Sequence, residues 1–512
     1  MKKVPSTLSP VIAVDRKAPT PLHKQIYDAY RGMILGGNLG AGQQIPSSRA
    51  LAGELKISRI PVLTAYAQLL AEGYFESRTG SGTFVCSSLP DQFAAADRRT
   101  QRPRAASASV RSVSRRVALL PRYERLPWLR GFGAFSISQP AFDQFPFQVW
   151  ARLVTRHGRS PHTSALQYGS PLGFEPLREA ICGYLRTARA VHCDPRQVMI
   201  VNGSQQALEI TTRVLLDEGS PAWIEEPGYW LTRNVLAAAG CQSIPVPVDA
   251  EGLQVAAGLK LCRKAKAAFV APSHQYPLGA TMSASRRLQL LDWAESAGAW
   301  IVEDDYDSEY RYGSMPIASL QGLDHHSRVI YIGTFSKTLF PSLRLGYVVV
   351  PPDLIGSFVA VRHGMDIAPP HFFQAVLNDF MREGHYARHI RRMRQLYAER
   401  RAALVSALTK EFGSSLEIAG AEAGMYLAVL LPGAFRDHQL ALQAAREGLW
   451  LLPLSPTYVS ATPRQGFVLG FGSTPAREIP QAVRHLKAIL QAPANAEAQR
   501  KNISRSGYRV SA

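Results

Sequence analysis

Lys337 stands in "IYIGTFSKTLFPSLRLGYVV" (residues 330–349), a stretch otherwise almost wholly apolar and small, with Arg344 in the same run. A lysine in a segment that reads as core needs a reason. With polar neighbours Thr334 and Ser336 behind the strand-like "VIYIG", it suits a Schiff-base amine. Arg344 can clamp a phosphate through its planar fork. Three other stretches carry compatible chemistry. "VNGSQQALEI" follows a strand pattern and opens a helix, which puts Ser204, Gln205 and their backbone N–H groups at a helix N-terminus, a ready anion site. "WIEEPGYW" ends a strand, and Tyr229 there can either stack on a flat ring or pack as an ordinary aromatic. "WIVEDDYDSEYRY" sets Asp304, Asp305, Asp307 and Tyr306 just beyond a buried strand, where α/β sheets bind their ligands.

An amine, an acid, a phenol, a ring stacker and a phosphate cup are the parts of a pyridoxal phosphate site. They occur here in the order Ser204, Tyr229, Asp304, Tyr306, Lys337, Arg344. Alone, Lys337 reads equally well as a lysine snorkelling from the core; the ensemble argues against that. A metal site is the rival for the acids. No histidines are spaced to join them: His325 and His326, and the pair His385 and His389, lack the glutamate of a zinc-protease motif and are expected at the surface. No metal is expected.

These residues need elements to hold them. From about residue 131 to 490, short β-branched strands ("QVMIVNG", "AAFVAP", "AWIVEDDY", "VIYIGTFS") alternate with helical stretches, the pattern of a parallel α/β sheet. The chain of 512 residues is too long for one core. Its composition, 46% hydrophobic and 19% charged, is that of a globular protein. No apolar run reaches 18 residues, and the N-terminus lacks an apolar signal region, so neither a membrane span nor secretion is expected. Five scattered cysteines without a C-x-x-C pair point to a reducing cytoplasm.

The formal charge of +19 is unevenly spread. Residues 1–86 hold ten Lys/Arg against five Asp/Glu, residues 87–130 ten against three, and residues 491–512 four against one. That leaves only +4 for the roughly 360 residues between. Basicity gathered in the N-terminal part fits a polyanionic partner, although a solvated basic linker would give the same numbers. The stretch 87–130, rich in Arg, Ser and Ala, reads as a flexible basic linker, and residues 493–512 as a polar tail.

The segment 15–86 begins with an amphipathic helix, "PLHKQIYDAYRGMILGG". "PSSRALAGELKI" follows, capped by Ser47 or Ser48. A third helix, "SRIPVLTAYAQLLAEGYF", is capped by Ser58, with Pro61 tolerated in its first turn. A short turn joins the last two helices, giving helix-turn-helix geometry, and "FESRTGSGTFV" reads as two strands around a tight turn, a wing. Ser58 and Arg59 at a helix start can enter a major groove, while Arg49, Arg78, Ser81 and Thr83 can hold phosphates or a groove edge.

This segment closely resembles the winged helix of the GntR family of bacterial transcription regulators. Asn-Thr is common after the position of Arg59; here Ile60 and Pro61 stand there and cannot hydrogen-bond base edges, so readout is expected to lean on Arg49, Arg59 and DNA shape. Residues from "LQYGSPLGFEPLREAI" to Arg344, and more weakly onward, resemble the fold-type I aminotransferases. That resemblance makes Lys337 the internal aldimine, Asp304 the partner of the pyridine nitrogen (with Asp305 one place away), and Tyr306 the contact to the phenolic oxygen. Ser204, Gln205, Thr334 and Arg344 would hold the phosphate, and Tyr168 would reach the phosphate of a neighbouring subunit. Enzymes usually show Asn-Pro-Thr-Gly where this chain has "PSHQYPLG", so Tyr276 takes the place of the asparagine. The arginine that clamps substrate carboxylates near the last core strand has no clear counterpart, Phe467 or Val468 lying there and Arg464 only close by. Arg233 is the other candidate for a carboxylate.

The combination resembles the MocR subfamily. It implies an α+β winged helix-turn-helix domain (15–86), the linker (87–130), and an α/β fold-type I PLP-dependent aminotransferase-like domain (131–492). A homodimer with swapped domains, a double-stranded DNA operator and an amine or amino-acid effector, or the cofactor itself as signal, are the implied partners. A working aminotransferase that carries a DNA-binding domain is the alternative.

Overall fold

The computed structural model describes residues 12–87, 113–118, 120–121, 126–129, 131–159, 166–312, 317–432, 435–459 and 462–492. The tail 493–512 and most of the linker expected at 87–130 lie outside them. The chain divides into two compact units, Met1–Ser112 and Val113–Ala512.

In the first unit, α1 (Leu22–Leu35), α2 (Ser48–Glu54) and α3 (Arg59–Ala71) pack with a three-stranded sheet of β1 (Gln44–Ile45), β2 (Phe75–Arg78) and β3 (Gly82–Val85), in the order β1-β3-β2. Ile26, Tyr30 and Ile34 of α1 meet Val62, Tyr66 and Leu69 of α3, the spacing of one helix face. Tyr30, Tyr66 and Phe75 form a mutual edge-to-face trio with centroids 5.3–5.7 Å apart, which ties both helices to the wing. Ser47 is the cap of α2, its hydroxyl accepting from the Ala50 N–H. Ser58 caps α3 by backbone conformation only, without a side-chain bond.

The second unit is built on an eight-stranded sheet. Its strands are β4 (Val198–Val201), β5 (Pro221–Glu226), β6 (Gln242–Asp249), β7 (Gly252–Leu253), β8 (Ala267–Val270), β9 (Trp300–Asp305), β10 (Val329–Thr334) and β11 (Gly346–Val349). Their order is β4-β11-β10-β9-β8-β5-β6-β7. β6, β5, β8, β9 and β10 run parallel as expected, but β11 is antiparallel to both its neighbours. The reason is the length of the β10–β11 connection, residues 335–345, which holds no crossover helix. That return keeps Lys337 and Arg344 in one loop at the end of β10. A second sheet, β12 (Glu417–Ala419), β13 (Tyr426–Leu430), β14 (Leu452–Pro453) and β15 (Gly466–Gly470), has the order β12-β13-β15-β14.

Two sequence expectations need correction. The linker does not run to residue 130 as unpacked chain: Trp128 is buried in the main core, because an indole at that position has a pocket to fill. His389 is not a surface residue either. It is buried beside the Phe145 ring, and burial pushes its imidazole down to about 4. Among the described residues, no helix is long and apolar enough to cross a membrane, and no group of three or more His, Cys, Asp or Glu could hold a metal.

Candidate functional site

At the carboxyl ends of β5, β8, β9 and β10 a cavity of about 460 Å³ opens. Ser204, Gln205, Tyr229, Asp304, Tyr306, Thr334, Lys337 and Arg344 all line it, although 140 positions separate the first from the last. Arg233 lines it too. Tyr168 does not: it stands 85% exposed. Arg464 is also outside the cavity lining, on the surface and paired with Glu417 at 2.7 Å. Phe467 and Val468, in β15, are fully buried in the core.

One end of the cavity gathers groups suited to an anion. Gly203 turns from β4 with φ +92, and Ser204 and Gln205 open a helix (Ser204–Leu215) whose first N–H groups have no helical acceptor. Arg344, itself left-handed at φ +52, donates from Nη2 to the Asn202 carbonyl. A Cβ at Gly203 would come within 3.0 Å of the Arg344 guanidinium, so glycine is what allows the arginine to close on that turn. The Thr334 hydroxyl donates to Ser336 Oγ at 3.1 Å, which leaves two hydroxyls beside these groups.

Asp304 and Asp305 differ in direction. Neighbouring residues of a strand face opposite sides. Asp305 turns away from the cavity and bonds Arg189 Nε at 2.8 Å and the Tyr331 hydroxyl at 2.6 Å. Asp304 faces the cavity, and its Oδ1 is buried without a hydrogen-bond partner. Burial, reinforced by the charge of Asp305, pushes its carboxyl up to about 7. Lys337 moves the other way: burial pushes its amine down to about 8, with Asp307 and Asp304 opposing the shift and Arg344 adding to it.

Tyr306 donates to the His274 carbonyl at 2.6 Å and lies 2.7 Å from the Tyr426 hydroxyl. Tyr229, at the start of the helix Trp230–Ala238, meets Tyr276 edge to face at 5.7 Å. Arg233 donates to the carbonyls of Pro456 (3.2 Å) and Tyr458 (3.4 Å). Neither Tyr426 nor His274 stands out in the sequence. Tyr426 comes from β13, in a stretch ("GMYLAVLL") with no polar pattern, and His274 was hidden inside "PSHQYPLG". Only folding brings them to Tyr306.

In the winged-helix unit, Arg49, Ser58 and Arg59 are exposed, and Arg59 Nε bonds Ser48 Oγ at 3.0 Å. Arg78 is partly engaged: its guanidinium pairs with Glu76 and lies over the Phe84 ring at 4.6 Å. Ser81 is exposed at the wing turn, while Thr83 is half-buried in the central strand.

These two sites define a class: a winged-helix DNA-binding protein that carries an aminotransferase-type domain. Residues 22–85 match the family model for bacterial regulatory proteins of the gntR family, and residues 134–485 that for class I and II aminotransferases. The chain is 41% identical over 94% of its length, and 96% of the other's, to the probable rhizopine catabolism regulatory protein MocR of Rhizobium meliloti. It is 30% identical over 90% of its length, and 94% of the other's, to the pyridoxine biosynthesis transcriptional regulator PdxR of Corynebacterium glutamicum. Among solved structures, the multiple substrate aminotransferase of Thermococcus profundus aligns at 29% identity, with a TM-score of 0.68, over 77% of this chain and 98% of that one. The chain belongs to the MocR subfamily of GntR-type transcription regulators. Its large domain has the fold-type I aminotransferase fold, whose cofactor is pyridoxal phosphate. The residues present fit that group, with an orphaned acid for a ring nitrogen, an amine, and a glycine-shaped turn suited to an anion in the same cavity.

Proposed function

We propose that this regulator holds pyridoxal phosphate on Lys337 and uses the cavity to sense an amine or amino acid, or the cofactor itself. The observation that carries the reading is the convergence of eight separated residues on one cavity, in a chain that also carries a winged helix. When bound, the cofactor supplies an electrophilic aldehyde carbon for which amines compete. Ser204, Gln205, Thr334 and Arg344 bind its phosphate, and Asp304 takes the ring nitrogen. Tyr306 orients the phenolic oxygen, and Tyr229 covers the ring. Arg233, its charged form already disfavoured by burial, is the group suited to an effector carboxylate. The protein acts in the cytoplasm as a homodimer on a double-stranded operator. Occupancy regulates transcription only if effector-bound and free dimers differ in how they hold DNA.

The test is optical and electrophoretic. Purified protein is expected to show a visible absorbance band that the Lys337→Ala variant lacks, and an amine panel that shifts the band should also change operator retention. A protein without a band, or a Lys337→Ala variant with an unaltered one, defeats the reading.

A working aminotransferase is the second reading, favoured by the eight cofactor-type residues gathered in the cavity. Against efficient turnover stands the cavity wall, which has Arg233 but not Arg464. Turnover assays with amino donors and 2-oxo acids separate the two; robust kcat would make this an enzyme as well as a regulator.

A further inference from the structure

The cofactor assignment uses Asp304 and leaves a second cavity acid, Asp307, without a task. Asp307 is 2% exposed, and both its oxygens lie 3.1 Å from His274 Nδ1. His274 is 1% exposed, and its Nε2 has no hydrogen-bond partner, so the imidazole makes its side-chain hydrogen bonds to Asp307 alone. The backbone fixes this pair twice. Tyr306 grips the His274 carbonyl at 2.6 Å. Gly424, at φ +73, leaves the space the pair fills: a Cβ there would fall 2.1 Å from the imidazole and 2.5 Å from Asp307 Oδ2. A buried carboxylate so tightly placed is held in one position and orientation.

Lys337 lines the same cavity as Asp307 and is the cation that this carboxylate can serve. Arg344, the cavity's phosphate-side arginine, is turned to the Asn202 carbonyl, and Arg233 to the carbonyls of Pro456 and Tyr458. We propose that Asp307, held in place by His274, is the standing counter-charge of Lys337 and sets the pH at which that amine becomes available. His274 is then a positioning residue, acting only through Asp307. Among the charges facing Lys337, Asp307 acts most strongly to keep it protonated, ahead of Asp304 on β9, while Arg344 opposes both. Glu225, at the end of β5, lines the same cavity, but burial pushes its carboxyl up to about 8, so it is only partly ionised where Lys337 titrates, and it is not among the charges that act on that amine. The phenols of Tyr229, Tyr306 and Tyr426 are all pushed up by burial and stay neutral there.

The proposal rests on Lys337 being the cofactor lysine, yet its test does not need the cofactor. Full-length apo-protein is acetylated with acetic anhydride across a pH series, and labelling of the Lys337 peptide is read by mass spectrometry. Asp307→Asn deletes the charge but keeps an acceptor for His274 Nδ1. It is expected to lower the midpoint of Lys337 labelling by about 1 pH unit, giving up to about ten-fold more labelling at neutral pH. His274→Leu, made in case the first variant does not fold, removes the imidazole that holds Asp307 in place. Asp307 is then free to turn from the amine, and the Lys337 midpoint is again expected to fall. An unmoved or raised midpoint in either folded variant overturns the proposal. A wild-type protein without a visible cofactor band, but with the shift intact, would instead remove the cofactor reading and leave the counter-charge standing.

Discussion

A carboxylate oxygen buried without a donor costs stability, and Asp304 Oδ1 is such an atom. Its folded pKa, about 7, lies above the ordinary value of 3.8. Between those values the native apo-protein binds more protons than the unfolded chain, so this group's contribution falls as pH rises from about 4 to 7. Asp304→Asn should therefore raise the Tm of the apo-protein at pH 7, by on the order of 2 °C, and leave it unchanged near pH 4. Differential scanning calorimetry at the two values checks the sign. The same variant should hold the cofactor more weakly, because an amide cannot supply the charge that a protonated ring nitrogen pairs with. Arg344→Lys tests the other end. It keeps the charge but loses the fork, and should weaken cofactor affinity by about ten-fold or more in a fluorescence titration.

Sequence spacing foretold the elements better than their joints. The strand-then-helix pattern placed Ser204 at a helix start and Asp304 at a strand end, because each signal is local. The reversal of β11 was not legible, since it depends on a connection too short for a crossover. Nor was the meeting of Tyr426 with Tyr306, because β13 and β9 belong to different sheets. In the winged helix the signals were again local. Ile60 and Leu63, which cannot read a base by hydrogen bonds, stand 72% and 45% exposed on one face of α3. Apolar side chains at a recognition-helix start can contact thymine methyl groups. Ile60→Ala is therefore expected to weaken operator binding by about 1 kcal/mol. Replacing one operator thymine by uracil should give the parent protein the same loss and the variant little further loss. A gel-shift series with each base changed in turn would find the position or rule out the contact. Ser47→Ala, which removes the α2 cap, should lower the stability of this unit by about 1 kcal/mol without that base dependence.

At the scale of the whole molecule, Tyr168 poses the remaining question. A tyrosine 85% exposed, outside its own chain's cavity, gains a use if a second copy brings it to that copy's phosphate cup. Such a site is shared, and a shared site can be complemented. Lys337→Ala removes the amine but leaves Tyr168 to offer; Tyr168→Phe keeps the amine but offers no hydroxyl. Each variant alone should retain little cofactor, fixed by borohydride, when cofactor is limiting. Chains unfolded together and refolded at equal amounts form mixed dimers in about half of cases, each with one intact site of two, so about a quarter of all sites should recover. Recovery confined to the co-refolded sample means that Tyr168 acts across the dimer. If Tyr168 serves only its own chain, no mixed dimer contains an intact site, and the co-refolded sample will match the average of the two variants.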